Sequence, residues 1–173
     1  MASIMRYRGG VVELVPFLTT ADAAAAHAIE VGDLVYFSTY AYPASHLADA
    51  GSAAENRAAF AALFVGVASQ KTGLQTGETS FWLTPDKGYI MVAASGLYEF
   101  DCAATAWATG DLVGVYNDAT DNSDQKVAKV TNYNEAIGVA RVPIKNIGAT
   151  TTTVIVEIRP RLLFHQVVYG SGQ

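Results

Sequence analysis

Histidine, cysteine and aspartate are the side chains of this chain that could bind a metal, attack a carbonyl or carry a proton. His27, His46 and His165 each stand alone, with no second ligand three or four residues away, so zinc would have to be assembled entirely through the fold. Cys102 has no histidine or basic residue beside it in "FDCAAT", and it reads as a buried thiol at a strand end. The densest acidic stretch, "NDATDNSD" at 117–124, offers Asp118, Asp121 and Asp124 for calcium. An EF-hand loop opening at Asp118 needs glycine at its sixth position and a bidentate glutamate at its twelfth, where Ser123 and Lys129 stand. Asn, Asp and Ser are also what tight turns use, so a solvated hairpin loop is the expectation. Neither a Gly-x-Ser-x-Gly elbow nor a phosphate-binding loop is present, and no glycine-rich stretch precedes a helix in a βαβ unit. No catalytic residue, cofactor or metal site is expected.

Two further aspartates stand in repeated surroundings. Asp33 lies in "VGDLVYF" and Asp111 in "TGDLVGVY", and a Gly-Val-Ala follows each, at Gly66 and at Gly138. Gly66 stands 34 positions after Gly32, and Gly138 stands 28 after Gly110. Paired acids can perform general acid–base work. Equivalent positions in two repeats point instead to turn chemistry: Gly tolerates positive φ, and the Asp side chain can accept from nearby backbone N–H groups. Each Leu-Val then enters a strand.

The elements that carry these residues are short and mostly extended. "GGVVELVPFL" (9–18) has strand character, but Pro16 confines it to an edge strand or an extended arm. Thr20 could cap an alanine helix, or 19–30 could lead as a strand into Gly32. Leu34–Thr39 alternates with period two. "SAAE" at Ser52–Glu55 has the spacing of a capping box and opens a short helix through about Leu63. Strands are expected at 64–70, 81–83, 89–94 and 96–100, through the second copy, and at 152–158, where "TTVIVEI" alternates. The tail "LLFHQVVYGSGQ" is strand-like in content, with no evident partner in the chain. Short, glycine-punctuated strands with one inserted helix predict an all-β fold, a compact barrel or sandwich built from two related β units, with extended terminal arms. The expected organisation is an N-terminal arm and lead-in (1–28), one β domain (29–160, with related units about 29–70 and 109–142) and a C-terminal tail (161–173).

Composition bounds the partners. The 173 residues carry a formal charge of -5, with charged residues making up 16% of the chain and no Lys/Arg cluster, which argues against nucleic acid. Hydrophobic residues reach 51% and mean hydropathy is +0.22, which suggests either self-association or docking, or simply an alanine-rich core. No apolar run approaches the roughly 18–20 residues that span a bilayer, so no membrane partner is expected. Glu13 and Pro16 interrupt the early apolar stretch, which argues against a signal peptide and for synthesis in the cytoplasm. A single cysteine excludes an internal disulfide. Arg6 and Arg8, ahead of Gly9-Gly10, form a short basic arm that could pair with acidic groups on a partner, or else fray. Phe81, Trp82, Tyr89, Tyr98, Phe100 and Trp107 gather in the middle third; such aromatics can form a sugar platform but more commonly fill a core.

Taken in order, "IEVGDLVYF" (29–37), "NRAAFAALFVGVASQKT" (56–72), "GLYEFDCAATAWATGDLVG" (96–114), "EAIGVA" (135–140) and "TTVIVEI" (152–158) resemble the small capsid decoration or cement proteins of tailed bacteriophages, in particular the DUF2190-like group. The resemblance covers most of 29–158 and leaves out the N-terminal arm and the tail. It implies a structural virion protein with no catalytic activity. It also implies a compact β domain, commonly trimeric, that sits on the outer capsid surface and clamps neighbouring major capsid protein subunits after expansion. Two other classes stay open: a virion-surface module binding a host polymer or glycan through the mid-chain aromatics, and, as the weakest option, a small β-barrel enzyme.

Overall fold

A computed structural model of the chain describes residues 6–19, 28–72, 89–118, 120–143 and 148–160. The alternatives at 20–27, the strand expected at 81–83 and the tail 161–173 lie outside the described residues.

Eleven strands and one α-helix are described. They run β1 (Tyr7–Gly9), β2 (Leu14–Leu18), β3 (Leu34–Phe37), β4 (Ala41–Pro43), α1 (Ala53–Leu63), β5 (Phe64–Ala68), β6 (Tyr89–Ala93), β7 (Leu97–Ala106), β8 (Leu112–Asn117), β9 (Asn122–Lys129), β10 (Gly138–Ala140) and β11 (Thr150–Ile158), with 3-10 turns at Ala44–His46 and Tyr133–Glu135. The fold is all-β with one short helix, as the strand patterning predicts. β7 is longer than expected: it passes Cys102 and runs on to Ala106, so the thiol sits inside the strand rather than at its end.

Strands β7-β11-β10-β8-β9 form a ring that β9 closes by pairing back on β7 in parallel, at Asp101 with Lys126 and Cys102 with Val127. β1 adds to β7 from outside the ring. A second sheet has the order β2-β6-β5-β3-β4. These two orders are the same order, and the registers agree position by position. Leu34 pairs with Val67 and Val35 with Gly66, as Leu112 pairs with Val139 and Val113 with Gly138. Ala68 pairs with Val92 and Phe17 with Ile90, as Ala140 pairs with Val156 and Phe100 with Val154. The repeat legible at 29–70 and 109–142 therefore extends outwards, to β2 through β6 in the N-terminal unit and to β7 through β11 in the C-terminal one.

The cores repeat as well. One cluster holds Phe17, Ile29, Val35, Ala41, Val65, Ala68, Ile90 and Val92. Carried across by register, and for Ile29 by its place three residues before the repeated Gly-Asp, these become Phe100, Trp107, Val113, Val127, Ile137, Ala140, Val154 and Val156, all in the larger cluster inside the ring. Both units thus wrap the same apolar interior, in line with inward and outward side chains alternating along a strand. The larger cluster also takes in Leu34, Phe60, Phe64 and Val67, so the outer surface of the N-terminal unit and α1 pack against the ring.

Helix α1 accounts for the longer excursion in the first copy. Ser52 caps it: its hydroxyl accepts from the Glu55 backbone N–H (3.3 Å) and donates to the Glu55 carboxylate (2.7 Å). Arg57 reaches across to the buried Glu135 carboxylate (2.6 Å), which also accepts from Asn132 (2.6 Å). These bonds outweigh burial and hold the Glu135 carboxyl below the ordinary range.

Candidate functional site

The repeated Gly-Asp pairs make turns of one design. Gly32 has φ +95° and Gly110 φ +94°, left-handed values that favour glycine. Asp33 accepts from the Glu30 backbone N–H (2.7 Å), as Asp111 accepts from that of Ala108 (2.6 Å). Gly32 N–H donates to Ala68 O, as Gly110 N–H donates to Ala140 O, both at 2.9 Å. Asp33 and Asp111 thus hold backbone rather than converge on a substrate.

Their electrostatics nonetheless diverge. Asp33 is 3% exposed, and burial pushes its pKa up to about 6 despite hydrogen bonds from Gln125 (2.7 Å) and the Glu30 amide. Asp111 is more open: burial raises its pKa, but the ion pair with Lys129 (2.6 Å) and the Ala108 amide together outweigh burial and lower it. Asp33 lies on the seam between the units, as does Asp124, which accepts from the Ser45 amide (2.7 Å) and hydroxyl (2.9 Å). Burial raises the Asp124 pKa too.

The three aspartates of 117–124 are consequently not a ligand set. Asp118 accepts from the Asp121 amide in the hairpin turn, while Asp124 faces Ser45. Among the described residues, no three His, Cys, Asp or Glu side chains gather as metal ligands would. His46 stacks on Tyr42, with ring centroids 4.6 Å apart; His27 and His165 lie outside the described residues. Cys102 is buried, which raises its thiol pKa, and it donates to Thr151 O at 3.7 Å. Tyr98, Phe100 and Trp107 fill the core and Tyr89 is exposed, while Phe81 and Trp82 are outside the described residues.

Arg6 and Arg8 flank Tyr7 on β1, where the acids they meet belong to their own chain. Arg6 pairs with Asp101 (2.7 Å) and Glu99 (3.5 Å), and Arg8 with Glu99 (2.7 Å). Tyr7 packs on Tyr98, 5.7 Å between centroids. The sequence gives no sign of these acids, because pairing 91 to 95 residues apart appears only once β1 is laid against β7.

The surface feature that sequence reading missed is apolar. Val11, Val12, Leu14, Leu18 and Tyr89 are exposed together around β2 and β6. Period two places Leu14 and Leu18 on the side of β2 opposite the buried Phe17, but which strand keeps an uncovered outer face is decided only by the assembled sheet. Comparison with protein-family models, with characterised proteins and with solved structures finds no match to this chain.

Proposed function

We propose that this chain is a capsid decoration or cement protein, which binds the outer surface of an assembled phage head and holds neighbouring major capsid protein subunits together. The observation that carries this reading is the order of its segments, Gly-Asp-Leu-Val then Gly-Val-Ala, twice over, with the sequence resemblance that this order supports. In this reading the chain catalyses nothing, acts as a trimer, and works by linkage. A ligand that binds only the assembled lattice stabilises it, by about 2.7 kcal/mol per site at a hundredfold excess over Kd. Several weak contacts from one oligomer add through effective concentration.

The test is the thermal disruption of purified capsids of the cognate major capsid protein, with and without added protein. The expected result is a higher disruption temperature that saturates with added protein; an unchanged temperature at saturation contradicts the proposal.

A further inference from the structure

The repeat keeps its turn aspartate in both units but keeps the cation beside it in only one. Lys129, which pairs with Asp111, lies opposite Val113 in the register of β8 and β9. The matching position in the N-terminal unit, opposite Val35 on β4, holds Pro43, which is buried and uncharged. Asp33 therefore lacks the ion pair of its counterpart. Its side chain faces across the seam instead, where the neutral Gln125 amide of β9 donates to it (2.7 Å).

Among the described residues, the groups about Asp33 do not make up for the missing lysine. Burial is the main force that pushes its pKa up to about 6, and the negative charges of Asp124 and Glu30 add to it. β5 (Phe64–Ala68) brings no charge. Arg6 and Glu99 border a narrow crevice beside Gly32 and Gln125, but Arg6 is paired with Asp101 and Glu99. Lys126 sits over the Tyr116 ring, and His46, next to Ser45 on its 3-10 turn, stacks on Tyr42. Asp124 likewise meets neutral donors, the Ser45 amide and hydroxyl, and burial raises its pKa too.

The seam is built differently where α1 meets the C-terminal unit. There Arg57 pairs with Glu135, whose carboxyl lies below the ordinary range, so this contact stays ionised in mildly acidic and neutral solution alike. Asn56 of α1 also donates to Thr120 O (3.3 Å). One part of the seam thus gains from its charges, and the other is penalised by them. A buried carboxylate without a cation regains its hydration only where the structure opens.

We propose that the seam is a latch worked by pH: the Asp33 turn and the Ala44–His46 turn stay seated on β9 in mildly acidic solution and lift from it increasingly as pH rises to neutral, while α1 holds the units together. A raised carboxyl pKa favours the closed form in acid, and that advantage is lost as pH rises through about 6. With an ordinary value of 3.8 in the open form, linkage increases the opening equilibrium about tenfold between pH 5 and pH 7.5. The latch follows from contacts within one chain and needs no capsid, so it stands or falls apart from the cement reading.

The test is amide hydrogen exchange of the full chain at pH 5 and pH 7.5, read by mass spectrometry with exchange times scaled for the intrinsic rate. The informative amides are those of Glu30 and Ser45, which donate to Asp33 and Asp124, and the β11 amides serve as the reference for global unfolding. In wild type, protection at Glu30 and Ser45 should fall about tenfold between the two pH values and lie below that of β11 at both, the mark of an opening smaller than unfolding. Asp33→Asn keeps an acceptor for the Glu30 amide and cannot ionise, so the tenfold change should vanish; His46 is still present in that variant, which separates the latch from any titration of His46. Gln125→Glu turns a further acid towards Asp33 and should deepen the loss at pH 7.5, which probes the same contact from the β9 side. Seam protection that does not change with pH, equal protection of seam and β11, an Asp33→Asn chain that keeps the tenfold change, or a Gln125→Glu chain no more open than wild type would each overturn the proposal.

Discussion

Asp33 and Asp111 have the same local sequence, turn and backbone partners, yet they should respond to pH with opposite sign. The folded pKa of Asp33 lies above its ordinary value of 3.8, at about 6, so its stabilising contribution is complete below pH 3.8 and is lost as pH rises through 6. A shift of that size corresponds to on the order of 3 kcal/mol across the window. Asp111 has a lowered folded pKa, so it stabilises above its unfolded value and loses that contribution as pH falls. Urea denaturation between pH 4 and pH 8 checks this. Asp33→Asn should gain stability relative to wild type as pH rises, whereas Asp111→Asn should lose up to about 1 kcal/mol at neutral pH, the range of a solvent-screened ion pair. The turn role of both residues was legible in Gly-Asp. The difference between them was not, because Asp33 is buried at a seam where its neighbours, such as Gln125 on β9, stand as far as 92 positions away.

At the scale of elements, the glycine of each Gly-Val-Ala explains why the repeat keeps it. A Cβ on Gly66 would run into the Ala93 carbonyl on β6, and one on Gly138 into the Glu157 carbonyl on β11. Ala93 and Glu157 are themselves equivalent by register. A methyl group forced against a neighbouring strand's backbone must push the sheet apart. Gly66→Ala and Gly138→Ala should therefore each cost about 2–4 kcal/mol in chemical denaturation. Gly110→Ala should cost about 1–2 kcal/mol, since only its positive φ is at stake and open space surrounds the position. The Gly-Asp and Gly-Val-Ala signals survive in both copies because each answers a demand that one residue type meets. The strands β2 with β7 and β6 with β11 leave almost no such trace. They ask only for an apolar residue on one side, and Val15 with Tyr98 or Ile90 with Val154 satisfy that equally. This is why the sequence displayed about half of each unit and the hydrogen-bond register displayed the rest.

For the whole molecule, two units share one strand order and register and differ in their outer surfaces. The interior is apolar in both units position for position, while the outside differs: the C-terminal unit carries ion pairs and the chain's first strand, β1, and the N-terminal one exposes Leu14, Leu18 and Tyr89. In the proposed reading, a protein that links subunits of a shell needs several distinct outer surfaces, and a closed ring joined to a second sheet of the same strand order supplies them. Scaffold and outer surfaces were unequally legible, because turn glycines announce themselves locally whereas exposure is a property of the assembled sheets. The most direct measurement of the central claim is co-sedimentation of the purified chain with capsids of its cognate major capsid protein, before and after expansion. The account predicts saturable, stoichiometric binding to expanded shells and little to unassembled capsid protein. Protein left in the supernatant with every form of shell would contradict it.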